Sequence, residues 1–509
     1  MRQLQLQMNR WLNRKHIFLG PSLLLTLTIL SACGRSDAES VSGASPRLPE
    51  KSLAAEYSEP VKHDEKENRT VQVFGVELKD LDGGGTLKKQ YAGQVLQVGT
   101  KVEELRNGLE AAIPYFEEAS GAKVVLTALP DETFIDEMEK DLSQQHRFDV
   151  VLVPGAFAHS YAQSGYLKEL SPFIQDKSVV SPNLDLDDFI PSLLDHYGYY
   201  KGKLYALPFK PDAQILFYRK DLFEDIRNRE LFQNQTGKPL KVPDTIDELY
   251  ETSRFFTRAY NPQSPVLYGF NMMGKADWSR WTFTNRLGAY GGKDVDKDFK
   301  PGFHNDAGVQ AMKTYVELEK YVPPDYTDYG WIEANRRFIE GDVAMMEQWP
   351  GLSKAAEAAG SRVQGKIGYA VVPGEGGVKS PTMGAWTMAV ANNPLRQESS
   401  ELAYKFAEYV TGKDVELLKI SSGNDPTRSS NYRRPQVTSA NPIYPVLAES
   451  LSRVKVSADP DVPFVISKLN TVQEAAVQSV IRHKASPEQA VEQMAEQFEQ
   501  VVREAGLYE

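Results

Sequence analysis

The chain holds many residues able to do chemistry, but their spacing assembles no reaction centre. The seven histidines (His16, His63, His146, His159, His196, His304 and His483) are scattered without metal-ligand spacing. Asp294, Asp296 and Asp298 open like a calcium loop. The position that needs glycine for the turn is Phe299, however, and the closing position, normally glutamate, is Asn305. The run reads as a solvated acidic turn. The sequence has no phosphate loop, dinucleotide fingerprint, His-Glu-x-x-His helix or Gly-x-Ser-x-Gly elbow. Carboxylate pairs for glycoside hydrolysis are defined by separation in space, and nothing singles out a pair among 69 acidic residues. The expectation is a non-enzyme without cofactor or metal.

Aromatic surface stands out instead. Apart from Trp11, the tryptophans Trp278, Trp281, Trp331, Trp349 and Trp386 fall in one part of the chain. Several have polar or backbone-exposing neighbours, as in Asp277-Trp278-Ser279-Arg280-Trp281, Gln348-Trp349-Pro350 and Gly384-Ala385-Trp386. A flat indole suits the C–H face of a sugar ring, and its N–H serves the hydroxyls. The competing role for each is core packing. Trp281 and Trp331, spaced within helical segments, are the two expected in the core.

The single cysteine, Cys33, follows Leu30-Ser31-Ala32. Ahead of it lie Arg2, Arg10, Arg14 and Lys15, then an apolar stretch from Ile17 to Leu30. That order is the grammar of a secretory signal over residues 1–32, and the cysteine resembles that of a bacterial lipobox, lipidated at the new N-terminus. Residues 33–90 read as a lipidated cysteine and flexible tether. Gly34 to Thr70 is rich in Ser, Ala, Pro, Glu and Lys, and Asp82-Gly83-Gly84-Gly85 adds a second loose stretch. The formal net charge of −11 argues against a nucleic-acid partner and against charge-driven adsorption to anionic lipid. The acyl anchor is left as the attachment to the membrane.

Regular structure is expected from Tyr91 onward. Strands at Gln94–Val98, Lys123–Leu126 and Phe148–Val153 alternate with helices at Glu103–Ala119 (despite Pro114) and Phe134–Leu142, predicting an α/β domain with a largely parallel sheet. Ligands on such sheets bind beyond the strands' carboxyl ends, which draws attention to the turn Pro154-Gly155-Ala156-Phe157. Helices at Ile246–Ala259, Asp306–Lys320 and Glu333–Glu340 follow. Strands at Ile367–Val372 and Trp386–Val390 come next, then helices at Leu402–Val410, Val472–Arg482 and Pro487–Ala505.

From about Tyr91 to the C-terminus the chain resembles the extracellular solute-binding proteins of ABC importers, in the sugar-binding branch that includes the maltose-binding proteins. The likeness rests on ordered motifs: Phe148-Asp149-Val150-Val151 with Tyr161-Ala162-Gln163-Ser164-Gly165-Tyr166-Leu167, and Gly202-Lys203-Leu204-Tyr205-Ala206-Leu207-Pro208. Gly341-Asp342-Val343-Ala344-Met345-Met346 with Trp349-Pro350, Met383-Gly384-Ala385-Trp386, Asn393-Pro394 and Asp425-Pro426-Thr427-Arg428 continue the series.

The resemblance implies two discontinuous α/β lobes with a hinge and a ligand cleft between them. The first lobe would hold 91–207 and 370–422, the second 214–366 and 430–509, with crossings near 207–215, 367–372 and 421–432. It further implies a ligand site of Phe157, Asp212, Trp278, Trp349, Gly384, Trp386 and Arg428. The ligand would be a sugar, oligosaccharide or polyol derivative, captured by hinge closure and delivered to the permease subunits and their ATPase. Maltose-binding proteins carry charged residues on the first site loop. Pro154-Gly155-Ala156-Phe157 does not, which points to a differently shaped saccharide or polyol. The expected form is a monomer, lipid-anchored in the periplasm or on the outer face of the cytoplasmic membrane. An exported carbohydrate-active enzyme, or a binding protein serving a sensor, are the alternatives.

Overall fold

The computed structural model describes residues 71–102, 104–296, 298–454 and 463–506. Cys33, the signal segment and the tether up to Thr70 lie outside the described residues. Nine strands build two sheets: β1 (Val95–Lys101), β2 (Lys123–Leu129), β3 (Val150–Pro154), β4 (Ala206–Ala213), β5 (Ile215–Arg219), β6 (Tyr268–Asn271), β7 (Val343–Gln348), β8 (Ile367–Val371) and β9 (Met383–Val390). The helices that matter below are α1 (Glu104–Ser120), α2 (Gly155–Gln163), α3 (Arg280–Ala289), α4 (Asp306–Leu318), α5 (Trp331–Ile339), α6 (Ser400–Val410), α7 (Lys413–Ser421), α8 (Pro463–Ile481) and α9 (Pro487–Glu504).

The first lobe centres on a five-stranded sheet in the order β2-β1-β3-β9-β4, the second on a four-stranded sheet in the order β6-β7-β5-β8. β1 pairs in parallel with β2 and β3, whereas β9 runs antiparallel to both β3 and β4. The sheet is mixed only through β9: four strands run one way, and β9, which returns from the second lobe, runs against them. Both sheets are covered by helices. On α1 the apolar positions Leu105, Leu109, Ala112 and Phe116 recur at helical spacing and are buried. Their burial offsets the roughly 3 kcal/mol that Pro114 costs inside a helix. In the second lobe α9 starts at Ser486, whose hydroxyl accepts from the Gln489 N–H in a capping box with Pro487 at the first turn. It buries Val491, Met494, Phe498 and Val502.

The chain passes between lobes at Gln214, directly between β4 and β5. It returns through 372–382, because Ile367–Val371 is a strand of the second sheet. The expected crossing at 367–372, and the start of the returning first-lobe segment at 370, are corrected accordingly: β9 begins at Met383. Apolar strand character alone cannot say which sheet a strand joins. The two crossings lie side by side, with the Gln214 N–H donating to the Thr382 carbonyl at 2.9 Å. Asn285 on α3 ties them together. Its amide nitrogen donates to Gln214 Oε1 at 2.6 Å, and its oxygen accepts from the Thr382 N–H and hydroxyl, each at 2.7 Å.

A second correction concerns the tether. Residues 71–90, expected to be loose, dock on the first lobe. Leu87 is buried, the Lys79 N–H donates to Asp414 at 2.7 Å, and the Tyr409 hydroxyl donates to the Leu81 carbonyl at 3.0 Å. Gly84 has φ +65 and presses on Ser181 and Asn183, so closely that a Cβ there would lie 2.9 Å from the serine oxygen. The glycine run is thus a fitted turn. Composition registered its backbone freedom but not the surface waiting for it.

Candidate functional site

A cleft of about 960 Å³ opens between the two sheets, and the five described tryptophans Trp278, Trp281, Trp331, Trp349 and Trp386 all line it. The first-lobe wall is made by strand ends. Trp386 on β9 sits opposite Pro154 of β3 and Lys210 of β4, and the register slips between Trp386 and Thr387. Such a bulge re-aims a side chain at the rim of a sheet. Here it leaves Trp386 partly open on the cleft while Thr387 is buried. Phe134 meets the indole edge-on at 5.6 Å, and Lys101, paired to Asp131 at 2.5 Å, reaches over it at 5.5 Å.

Near the hinge, Trp349 follows β7, and its backbone N–H donates to the Gln348 side-chain oxygen at 2.9 Å. Trp281 meets its ring edge-on at 5.2 Å. Gly384 gives the indole room, since a Cβ there would lie 3.4 Å from the ring and 3.3 Å from Asp212. Gly384→Val is therefore expected to displace Trp349 and abolish ligand binding, with little change in melting temperature. Retained affinity in a titration would show that the indole is not held against this strand.

Trp278 stands on the second lobe, after Asp277 in a left-handed turn (φ 72) and beside Gly330, next to Trp331. Trp281 and Trp331, expected in the core, do pack against the second-lobe core and also line the wall of the cleft. Arg280 stacks on Trp281 at 3.7 Å. Burial pushes the Arg280 guanidinium down to about 10, which still leaves it charged at neutral pH.

Phe157 and Asp212 also line the cleft. Phe157 lies in the first turn of α2, because the expected turn after β3 is already helix from Gly155. No side chain caps that helix, so the first-turn N–H groups stand at the cleft. Asp212 accepts from Lys210 Nζ at 2.8 Å, and Lys210 also lies 3.6 Å from Asp425. Sequence reasoning missed Lys210, Lys101, Arg280 and Glu474. Only the position of Lys210, two residues before Asp212 on one face of a strand, hinted at the pairing.

Arg428 requires correction. It is fully buried away from the cleft, donates to the carbonyls of Thr411 at 2.8 Å and Asp185 at 2.7 Å, and stacks on Phe189 at 3.9 Å. Its guanidinium fastens the third crossing to the back of the first lobe.

Two histidines, His159 and His196, add a titratable pair to the first-lobe wall, their rings 6.1 Å apart. Burial, with His159 adding to it, pushes His196 down from 6.5 to about 4. The folded state thus keeps this imidazole neutral where the unfolded chain takes up a proton. Its stabilising contribution is present above pH 6.5 and is lost as pH falls through about 4. The melting temperature should climb between these values, and His196→Gln should flatten the climb in thermal melts across that range.

Residues 101–416 match the family model for bacterial extracellular solute-binding proteins, which spans more than half of the chain. The chain belongs to this family. Among relatives of this solute-binding protein, a mannitol-binding protein of Pseudomonas aeruginosa is 29% identical over 354 residues, covering 65% of this chain and 73% of its own. The fold matches an ABC transporter solute-binding protein from Agrobacterium radiobacter K84 in complex with ribitol. The TM-score is 0.67 at 24% identity, covering 81% of this chain and 99% of that one. The maltose-bound MalE3 of T. maritima gives the same TM-score at 22% identity, covering 80% and 100%. These likenesses establish the two-lobe solute-binding fold. Among the described residues, no helix is long and apolar enough to cross a membrane.

Proposed function

We propose that this protein is the substrate-binding component of an ABC importer, taking a sugar, oligosaccharide or polyol into the interlobe cleft and delivering it to the permease. The observation that carries this reading is the convergence of five indoles, from both lobes, on one cleft beside paired ionic groups. Indole faces cover the apolar faces of sugar rings, while N–H groups, Lys101, Asp212 and Arg280 serve hydroxyls. Closure about Gln214 and Thr382 follows from the contacts a ligand gains with the second lobe. A ligand shifts the open–closed balance only by its differential affinity for the two forms. The protein acts by reversible binding and not by turnover.

Purified protein is titrated with sugars and polyols by tryptophan fluorescence, and the mixtures are then analysed by chromatography. Saturable quenching with the sugar recovered intact supports the reading. Released product would overturn it in favour of an enzyme. The N-terminal motif supports attachment through Cys33: Cys33→Ser is expected to move the protein from the membrane to the soluble fraction on cell fractionation. An unchanged distribution would remove the lipid anchor.

A further inference from the structure

We infer that the ligand is a neutral oligosaccharide of at least three pyranose rings, rather than an acyclic polyol or a single sugar. The inference rests on the sugar or polyol reading above and selects within it. The indoles form three separate seats. Trp386 stands on the first-lobe wall against Phe134, Trp349 on the floor against Trp281, and Trp278 on the second lobe beside Gly330 and Trp331. Trp349 lies over Gly384, two residues from Trp386 along β9, a rise of about 7 Å. The floor and first-lobe indoles are therefore placed as successive seats, not as two faces of one.

An acyclic polyol has no flat C–H face to lay on an indole, and a site for one gains little from several stacking platforms. The cavity of about 960 Å³ lies at the upper end of the roughly 300–1,000 Å³ range for ligand pockets. That is far more than a single ring fills. Cations of the cleft have carboxylates at hand: Lys101 pairs with Asp131, Lys210 with Asp212, and the charges of Asp294 and Glu474 act on the Arg280 guanidinium. Cations and anions so matched favour a ligand of no net charge.

The test is isothermal titration of the full-length protein in CHAPS micelles, which carry no sugar headgroup. The panel is ribitol, mannitol, glucose, galactose, and the di- and trisaccharides of glucose and of galactose. Affinity is expected to rise at least tenfold from monosaccharide to trisaccharide in one series, and to exceed that for either polyol by at least tenfold. Trp278→Ala is expected to erase the step from disaccharide to trisaccharide. If mannitol, ribitol or a monosaccharide binds as tightly as every oligosaccharide, the size class is overturned while the sugar or polyol reading stands. A disaccharide equal to its trisaccharide overturns the third ring. Binding of no member of the panel overturns both the inference and the reading beneath it.

Discussion

Trp349→Ala and Trp386→Ala are each expected to weaken binding of the best saccharide about thirtyfold or more, while far-ultraviolet circular dichroism stays unchanged. The magnitude follows from truncating a well-packed aromatic anchor, which typically costs about 2 kcal/mol or more, or about a factor of thirty in affinity. Both indoles are held before ligand arrives. The Trp349 ring is packed by Trp281 and over Gly384, with its main chain held by Gln348, and Trp386 is packed by Phe134 at the bulge in β9. A preorganised platform spends little binding energy on ordering, so its loss appears almost fully in affinity. Calorimetric titration of each variant checks the prediction. Unchanged affinity in both would show that these indoles merely line the wall, and the proposed site would fail.

The second large effect concerns stability. Glu347→Ala is expected to lower the unfolding free energy by about 3–5 kcal/mol, the usual consequence of removing one partner from a buried ion pair. Arg286 is wholly buried and Glu347 nearly so, with 2.6 Å between Nη2 and Oε1. Burial opposes the Arg286 charge, but Glu347 more than offsets it and holds the guanidinium above its ordinary value. Glu347 also accepts from Asn285 at 3.0 Å, the residue that ties Gln214 to Thr382, and it lies two positions before Trp349. The variant should therefore loosen the hinge and the cleft floor together. Urea denaturation reads the loss. The double variant Arg286→Met with Glu347→Leu should recover much of it, because two apolar groups leave no uncompensated charge. A midpoint unchanged by Glu347→Ala would mean that the pair contributes nothing to the fold.

Much of the fold was legible in the sequence because its signals are local. The helical stripe Leu105, Leu109, Ala112 and Phe116 overrode Pro114, and Ser486-Pro487 marked the start of α9. The errors share one cause. The sheet partner of Ile367–Val371, the docking of the Gly83–Gly85 turn and the helix that begins at Gly155 depend on surfaces contributed by distant parts of the chain. Arg428 shows the same limit at the site. A guanidinium in a turn can reach a ligand or a carbonyl equally well, and only the position of Asp185, Phe189 and Thr411 around it decided for the carbonyls.

By itself the sequence determined the α/β class, the family resemblance and an unusual supply of indoles, since composition, periodicity and motif order survive without coordinates. Tertiary structure alone decided which indoles share a cleft. Trp281 and Trp331 carry the same helical spacing that a core residue would, and spacing along a helix fixes a face but not what that face meets. The packing of α3 and α5 beside β7 and β9 turned those faces toward one cleft, and that arrangement made a binding site from tryptophans spread over more than a hundred residues.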